Sequence, residues 1–295
     1  MDEREQLAVR FERNRGQLRG IAYRMLGSVA EADDAVQEAW LRLTRSDAAA
    51  IDNIAAWLTT VVARVCLDML RQRERRREEP LGSHVPDPIV SPASGPDPEQ
   101  EAVLADSVGL ALLVVLERLD PAERLAFVLH DMFAVPFSEI ATITGRSPAA
   151  ARQLASRARR RVRGAPPTAD VDAPVVRQRR LVEAYLAAAR DGDFDGLLAV
   201  LDPDAVLRAD AGPAGESQLL RGSHAIARLT ERYRPLASSA VVALVNGMPG
   251  LVAAPEGRPF SVMSFTVAGD RIVELDVLSD PGRLQALLRA GMLEF

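Results

Sequence analysis

The stretch from Phe137 to Arg163, FSEIATITGRSPAAARQLASRARRRVR, constrains this chain more than any other. Phe137 to Thr144 has the spacing of one short helix, and Gly145 marks a turn. Ser147 stands as the N-cap of a second helix, with Pro148 at its first position, where a missing N–H costs nothing. On that second helix Ala151, Leu154, Ala155, Ala158 and Val162 share one side at helical spacing. The other side carries Ala149, Arg152, Gln153, Ser156, Arg160 and Arg163. One face can pack on a domain while the other offers small, hydrogen-bonding and cationic groups. A helix lying in the DNA major groove needs that division. The plainer reading is a solvated basic helix that touches nothing.

Charge distribution supports local phosphate contact. The chain has 295 residues, a net charge of −5, and 36 basic residues, every one an arginine. Residues 152–163 hold Arg152, Arg157, Arg159, Arg160, Arg161 and Arg163 without an acid. Residues 71–77 hold Arg71, Arg73, Arg75, Arg76 and Arg77 against Glu74 alone. An acidic chain with two basic patches suits defined contacts better than general coating of nucleic acid. Cys66, the only cysteine, excludes an intrachain disulfide and reads as a buried thiol. No apolar run reaches the roughly 18 residues of a membrane span. The charged start, MDEREQLAVRFERNR, has no signal-peptide pattern, so a cytoplasmic location and no membrane partner are expected.

Residues 3–26 read as a helix, softened at Arg15-Gly16. A second, 30–45, has an apolar face of Ala32, Ala35, Val36, Ala39, Trp40 and Leu43. Asp33, Asp34, Gln37 and Glu38 project mostly away from it, either as a solvated face or as a docking surface for a basic partner. A long helix over 53–77 is apolar first and basic last. Cations suit a helix C-terminus, but this density exceeds what capping needs. Residues 78–98, with six prolines and no periodicity, read as an unpacked linker. Helical pattern returns over 99–118, and Asp120-Pro121 starts a further helix with Leu125, Val128, Leu129 and Met132 buried. His130 has no nearby Cys or His and reads as structural, so no metal is expected.

Residues 164–174 form a second linker, after which the pattern changes. One amphipathic helix covers 175–200, with a break near Asp191-Gly192-Asp193. Strands are expected at 205–209, 240–245, 250–254, 259–268 and 271–278. Gly269-Asp270 joins the last two as a hairpin, and a helix covers 281–290. Helix first, then a mostly antiparallel sheet, makes an α+β domain.

Three blocks together resemble the extracytoplasmic-function group of bacterial sigma-70 factors: AEADDAVQEAWLRL at 30–43, LDPAERLAFVLHDMFAVPFSEIATITG at 119–145, and SPAAARQLASRARRRV at 147–162. The extension resembles the SnoaL-like, or NTF2-like, cone fold, and a sigma factor carrying it is similar to the SigJ-like subgroup. The expected class is multidomain: two all-α sigma domains, a helical bundle and a helix-turn-helix, followed by the α+β cone. The domains would be 1–77, a linker 78–98, 99–163, a linker 164–174, and 175–295. LSDPGRL at 278–284 resembles the subgroup's Asn-Pro-Asp-Lys-Leu motif, which singles out Asp280, Pro281, Arg283 and Leu284 as regulatory. The subgroup's Trp-Leu-Pro-Glu-Pro linker run is reduced here to GSHVPDP at 82–88. Its Asp-Gly-Gly-Gly-Lys stretch is replaced by ADAGPAGES at 209–217, which puts the usual regulatory contacts in question.

The resemblance implies a non-enzyme that binds core RNA polymerase, through its β′ and β subunits, and promoter DNA. Asp33, Asp34, Gln37 and Glu38 would dock on the basic coiled coil of β′, steered by complementary charge. The loop 46–53 would hold an unstacked base of the −10 element, with Asn53 the best edge contact. Trp57 would wedge at the strand fork or, more simply, sit in the core. Arg64, Arg71, Arg73 and the rest of that cluster would hold phosphates. Arg152, Gln153 and Ser156 would read the −35 element, with Arg157, Arg159 and Arg160 on phosphates. The extension would contact the sigma domains in cis. No cofactor is expected. The competing reading is a DNA-binding regulator fused to a ligand-binding or isomerase/cyclase-type enzyme domain, whose groups would come from Asp204, Asp210, Asp276, His224 and Tyr185.

Overall fold

The structure, a computed structural model, describes residues 3–47, 51–76, 84–93, 109–164, 175–213 and 215–295. It divides into two compact units, one of Met1–Glu78 with Val115–Ala165 and one of Glu79–Val114 with Pro166–Phe295.

In the first unit, α1 (Glu3–Leu26), α2 (Val29–Arg45) and α3 (Ile54–Arg76) form a bundle. The helix α1 runs unbroken through Arg15-Gly16. Ser28 caps α2 by accepting the Glu31 N–H. The face expected to be apolar is buried at Val29, Ala32, Ala35, Val36, Ala39 and Leu43. The repeated alanines let neighbouring helices approach closely. Leu18, Ile21, Met25, Leu58, Val62 and Cys66 fill the bundle centre. Burial pushes the Cys66 thiol up, so it is inert as a nucleophile.

After α4 (Leu110–Glu117), Asp120 accepts the Ala122 N–H at 2.9 Å and starts α5 (Pro121–Phe127), as Asp120-Pro121 implied. One π-helical turn, Val128–Met132, follows. His130 Nδ1 lies 3.1 Å from the Val135 carbonyl, and its ring stacks on Phe137 at 3.8 Å. Both contacts are packing roles within this segment. Then come α6 (Phe137–Thr144), Gly145 in the left-handed region at φ 67°, and α7 (Pro148–Gly164). Ser147 Oγ accepts the Ala150 N–H at 3.2 Å, the N-cap read from the sequence. Ala151, Leu154, Ala155 and Ala158 are buried, and the helix-turn-helix is complete.

The bundle and the helix-turn-helix segment pack together within this unit. Arg124, itself buried, donates to the Met25 carbonyl at 2.8 Å, at the C-terminal end of α1. Arg24 donates to the Gly20 carbonyl and lies 4.9 Å from the centre of the Phe133 ring. A helix C-terminus leaves carbonyls without intrahelical donors, and a guanidinium there satisfies both hydrogen bond and dipole.

The second unit is a seven-stranded sheet with helices. Its strands are β1 (Val90–Pro92), β2 (Leu201–Asp210), β3 (Gln218–Arg221), β4 (Ala240–Val245), β5 (Met248–Ala253), β6 (Ser261–Ala268) and β7 (Arg271–Leu278). The order is β1-β4-β5-β6-β7-β2-β3, antiparallel throughout except for the parallel pair β2–β7. The expected helix over 175–200 is two, α8 (Val175–Asp191) and α9 (Phe194–Val200), broken at Gly192, φ 71°. Two helices not foreseen, α10 (Ser223–Arg232) and α11 (Arg234–Ala237), follow β3, and α12 (Pro281–Arg289) follows β7. Val182, Tyr185, Leu197, Leu207, Ile226, Phe265 and Leu275 belong to one core between the helices and one sheet face.

The opposite face carries charge. Arg208 on β2 reaches Asp276 at 2.7 Å and Glu274 at 2.9 Å, all three buried. Burial works against the Arg208 charge, and the two carboxylates more than offset it. Removing Arg208 takes the shared partner from two buried carboxylates and costs about 3–5 kcal/mol.

One expectation fails here. Residues 84–93, inside the segment read as an unpacked linker, are built into this second unit. Val90–Pro92 pair with Ala243–Val245 as the edge strand β1. Prolines do not forbid this, because an edge strand has one row of N–H groups that needs no partner. The remaining linker residues, and 164–174 apart from Gly164, lie outside those described.

Candidate nucleic-acid interface and linker clasp

The exposed side of α7 presents Arg152, Gln153, Ser156 and Arg160 together, all solvent-facing. Their i, i+1, i+4, i+8 spacing places them along one stripe, two turns long. The guanidinium carbon of Arg152 lies 5.8 Å from the centre of the Phe137 ring on α6, a cation–π contact. The other arginines of the run behave differently. Arg157 reaches Glu123 at 2.9 Å and Arg161 reaches the same carboxylate at 2.6 Å. Arg159 reaches Asp131 at 2.6 Å. Three cations read as phosphate holders or as part of the basic run are therefore held by acids of α5 and the π turn that follows it. Arg163 has no described side chain.

On α2, Asp34 and Gln37 are exposed. Asp33 accepts from Arg19, with Nε 2.8 Å away, and Glu38 accepts from Arg42 at 2.8 Å. The four polar positions thus form two exposed groups flanked by two ion-paired ones. On α3, Asn53 Oδ1 accepts the Ala56 N–H at 3.1 Å, so Asn53 caps the helix while remaining exposed. Trp57 is half-buried. Arg71 lies 3.9 Å from Asp68. Arg73 bonds Glu31 and donates to the Leu26 carbonyl at 3.0 Å, tying α3 to the α1–α2 junction. Arg64 donates to the Thr142 carbonyl at 3.1 Å. The side chains of Arg75 and Arg76, and all of Arg77, lie outside the described residues.

A third group of residues forms a clasp on the linker. Arg283, on the first turn of α12, reaches Asp87 at 2.6 Å, Asp210 at 2.7 Å and the Val85 carbonyl at 2.6 Å. Asp210, at the end of β2, also accepts the Val85 N–H at 3.0 Å and lies 3.0 Å from His84 Nδ1. Burial pushes the Asp210 carboxyl up. The hydrogen bonds from His84 and Val85, the Arg283 charge and the Gly212 N–H outweigh that and hold it well below the usual carboxylate range. Asp280 caps α12 on the Arg283 N–H, Pro281 takes the first helical position, and Leu284 is buried. Beyond the clasp, Asn246 accepts the Ile89 N–H at 3.0 Å, and Val90 bonds Met292 and Glu294 through its own amide and carbonyl. The described parts of 82–88, 209–217 and 278–284 therefore meet, through His84, Asp87, Asp210 and Arg283.

The residues considered for catalysis do not converge. Asp204 and His224 are exposed, Asp210 serves the clasp, and Asp276 is paired with Arg208 on the charged sheet face. Of the five, Tyr185 alone lines the apolar cavity of the domain.

Comparison with known proteins agrees with the two helical blocks. Residues 10–76 match the family model of sigma-70 region 2, and residues 109–162 match that of sigma-70 region 4. The ECF RNA polymerase sigma factor SigJ of Mycobacterium tuberculosis is 43% identical over 274 residues, covering 90% of this chain and 86% of that protein. This chain belongs to the extracytoplasmic-function RNA polymerase sigma factors. The probable sigma factor SigI of the same organism is 34% identical, covering 97% of this chain and 98% of that one. The crystal structure of the M. tuberculosis SigJ aligns with this sigma factor at a TM-score of 0.75 and 38% identity, over 94% of this chain and 98% of that chain. The sigma factor accordingly has both sigma domains and a C-terminal helix-plus-sheet domain. Among its described residues no helix is long and apolar enough to cross a membrane.

Proposed function

We propose that this sigma factor binds core RNA polymerase, reads a two-part promoter, and is restrained in cis by its C-terminal domain through the linker. Asp34 and Gln37 make the first polymerase contact, with Asp33 and Glu38 shaping the surface around them. Asn53, Trp57, Arg64 and Arg71 face the −10 element, with Arg73 bracing α3 beneath them. Arg152, Gln153 and Ser156 read the −35 element, and Arg160 contacts its backbone. Arg–guanine and Gln–adenine pairs each give about 1–3 kcal/mol of discrimination. The C-terminal domain acts by binding rather than by catalysis, since its candidate acid–base groups are scattered.

The observation that carries the cis restraint is the clasp. A tether that must span two promoter readers is held by three ionised side chains and paired as a strand. In the same state Arg64 is occupied by Thr142, and Arg124 joins the helix-turn-helix segment to α1. Promoter engagement requires the Arg64 contact to be exchanged for one to nucleic acid.

The test is run-off transcription with core polymerase, using the whole chain, the Arg283→Ala chain and a chain ending at Gly164. Promoter-dependent transcript from the chain ending at Gly164, and more transcript from Arg283→Ala than from the parent, is the expected result. No transcript from any of the three would end the sigma reading. Equal transcript from Arg283→Ala and the parent would end the restraint.

A further inference from the structure

Residues 84–93 are held unevenly along their length. At one end His84 Nδ1 and the Val85 N–H each lie 3.0 Å from Asp210, and Arg283 takes the Val85 carbonyl and Asp87 at 2.6 Å each. Asn246 Oδ1 then accepts the Ile89 N–H at 3.0 Å, and the Asn246 N–H donates to the Ile89 carbonyl at 2.7 Å. The other end has less. Pro92 has no N–H to give the ladder. The Ala93 carbonyl accepts from Arg179 at 3.4 Å. Ser91 is fully buried, and its Oγ has no hydrogen-bond partner among the described residues.

The surroundings of Ser91 explain the unmet hydroxyl. Across the sheet it lies opposite Leu244, which lies opposite Pro249, so this row offers no side chain that can bond it. A hydroxyl buried without a partner gives up its bonds to water and recovers them on release. Ser91 therefore weakens the hold at the end of the linker that leads on to the helix-turn-helix.

We propose that the linker peels from its Ser91 end, residues 90–93 leaving the sheet while the clasp at 84–87 still holds. Slack passes first to the side of region 4 and last to the side of region 2. The order of release stands on the docked linker alone; only its effect on transcription rests on the restraint proposed above.

Two amides report the two ends. The Val85 N–H is bonded to Asp210. Bonds from β1 to the facing strand alternate: Ile89 has them and Val90 turns to Met292 and Glu294, so Ser91 pairs with Leu244. The Leu244 N–H is thus freed when the weak end lifts.

The test is hydrogen exchange on the whole chain, under conditions where its rate reports the opening equilibrium. Protection should be greater at Val85 than at Leu244. Ser91→Ala stabilises the docked strand against partial and complete release alike. Protection should rise about fivefold or more at both amides, the ratio for one unmet buried hydroxyl. Asp87→Asn weakens only the step that opens the clasp. Protection should fall about tenfold at Val85 and stay unchanged at Leu244. Ser91→Cys, near serine in size, decides the matter if the gap left by alanine costs packing. No gain at Leu244 with either Ser91 variant, as when a buried water meets the hydroxyl, overturns the weak end. A gain at Leu244 without one at Val85 overturns the order. So does an Asp87→Asn chain that loses protection equally at both amides, or at neither. Run-off transcription from the same chains separates the restraint: higher protection in Ser91→Ala with unchanged transcript keeps the order of release and ends the restraint.

Discussion

Arg64 Nη2 donates to the carbonyl oxygen of Thr142 at 3.1 Å, joining the third helix of the bundle to the C-terminal end of the first helix of the helix-turn-helix. The arginine is exposed, so the bond is a contact that water or phosphate can replace at little cost. Arg64→Ala should leave thermal stability within about 1 kcal/mol. It should also lower affinity for a −10 fork duplex and reduce the salt slope of binding by about one. Fluorescence anisotropy across a salt series measures both.

Arg124 makes the related contact in a buried setting, and its loss is a stability matter. Arg124→Ala leaves the Met25 carbonyl without this donor and should cost about 1–3 kcal/mol. Denaturant unfolding followed by a probe in the first unit should show the midpoint fall, while the C-terminal domain unfolds as before.

Glu123 is a buried acid that holds two arginines of the recognition helix. Glu123→Gln removes that charge and releases Arg157 and Arg161 toward DNA. Affinity for unrelated duplex should rise and its salt dependence steepen. Arg152→Ala should instead lose about 1–3 kcal/mol at the matched −35 sequence and relax preference at one base pair.

Asp34 is exposed and Asp33 is paired with Arg19. Asp34→Arg should therefore abolish co-purification with core polymerase at unchanged stability. Asp33→Ala should weaken the α1–α2 contact as well, and thermal unfolding separates the two effects.

The clasp has a pH dependence of defined sign. The Asp210 carboxyl is held below its ordinary value, so its contribution is full above the unfolded value of about 3.9 and is lost as pH falls further. Hydrogen exchange at Val85 and Ile89 should be protected near neutrality and lose protection in that acid range. Asp210→Asn should show weak protection throughout, with a flatter pH profile.

The helix-turn-helix was readable because its signals are local. Ser147, Pro148 and Gly145 each do one thing within three residues of where they stand. The hairpin at Gly269-Asp270 was readable for the same reason. The linker strand was not. Three paired residues give no period, and the groups that hold it come from far along the chain, Asp210 being 125 residues from Val85. The departures at 82–88 and 209–217 had instead put the usual regulatory contacts in question. The division of arginines on α7 was half readable. A helical wheel shows which way Arg157 and Arg161 point, but not that Glu123 stands there. The helix α10 was missed although Ile226, Ala227 and Leu229 have helical spacing, because it is short and Gly222 before it supplies no side-chain cap.

The pairing of Val90–Pro92 with Ala243–Val245 also protects. The segment Ala240–Val245, AVVALV, has no charge and no proline. When the linker lets go, its outer row of backbone donors and acceptors is bared, and a bare apolar edge recruits strands from other chains. Under the proposed restraint, a molecule whose linker has released and that has not met polymerase would be prone to self-association. Capture by polymerase or return of β1 to its place are the two outcomes that keep it soluble.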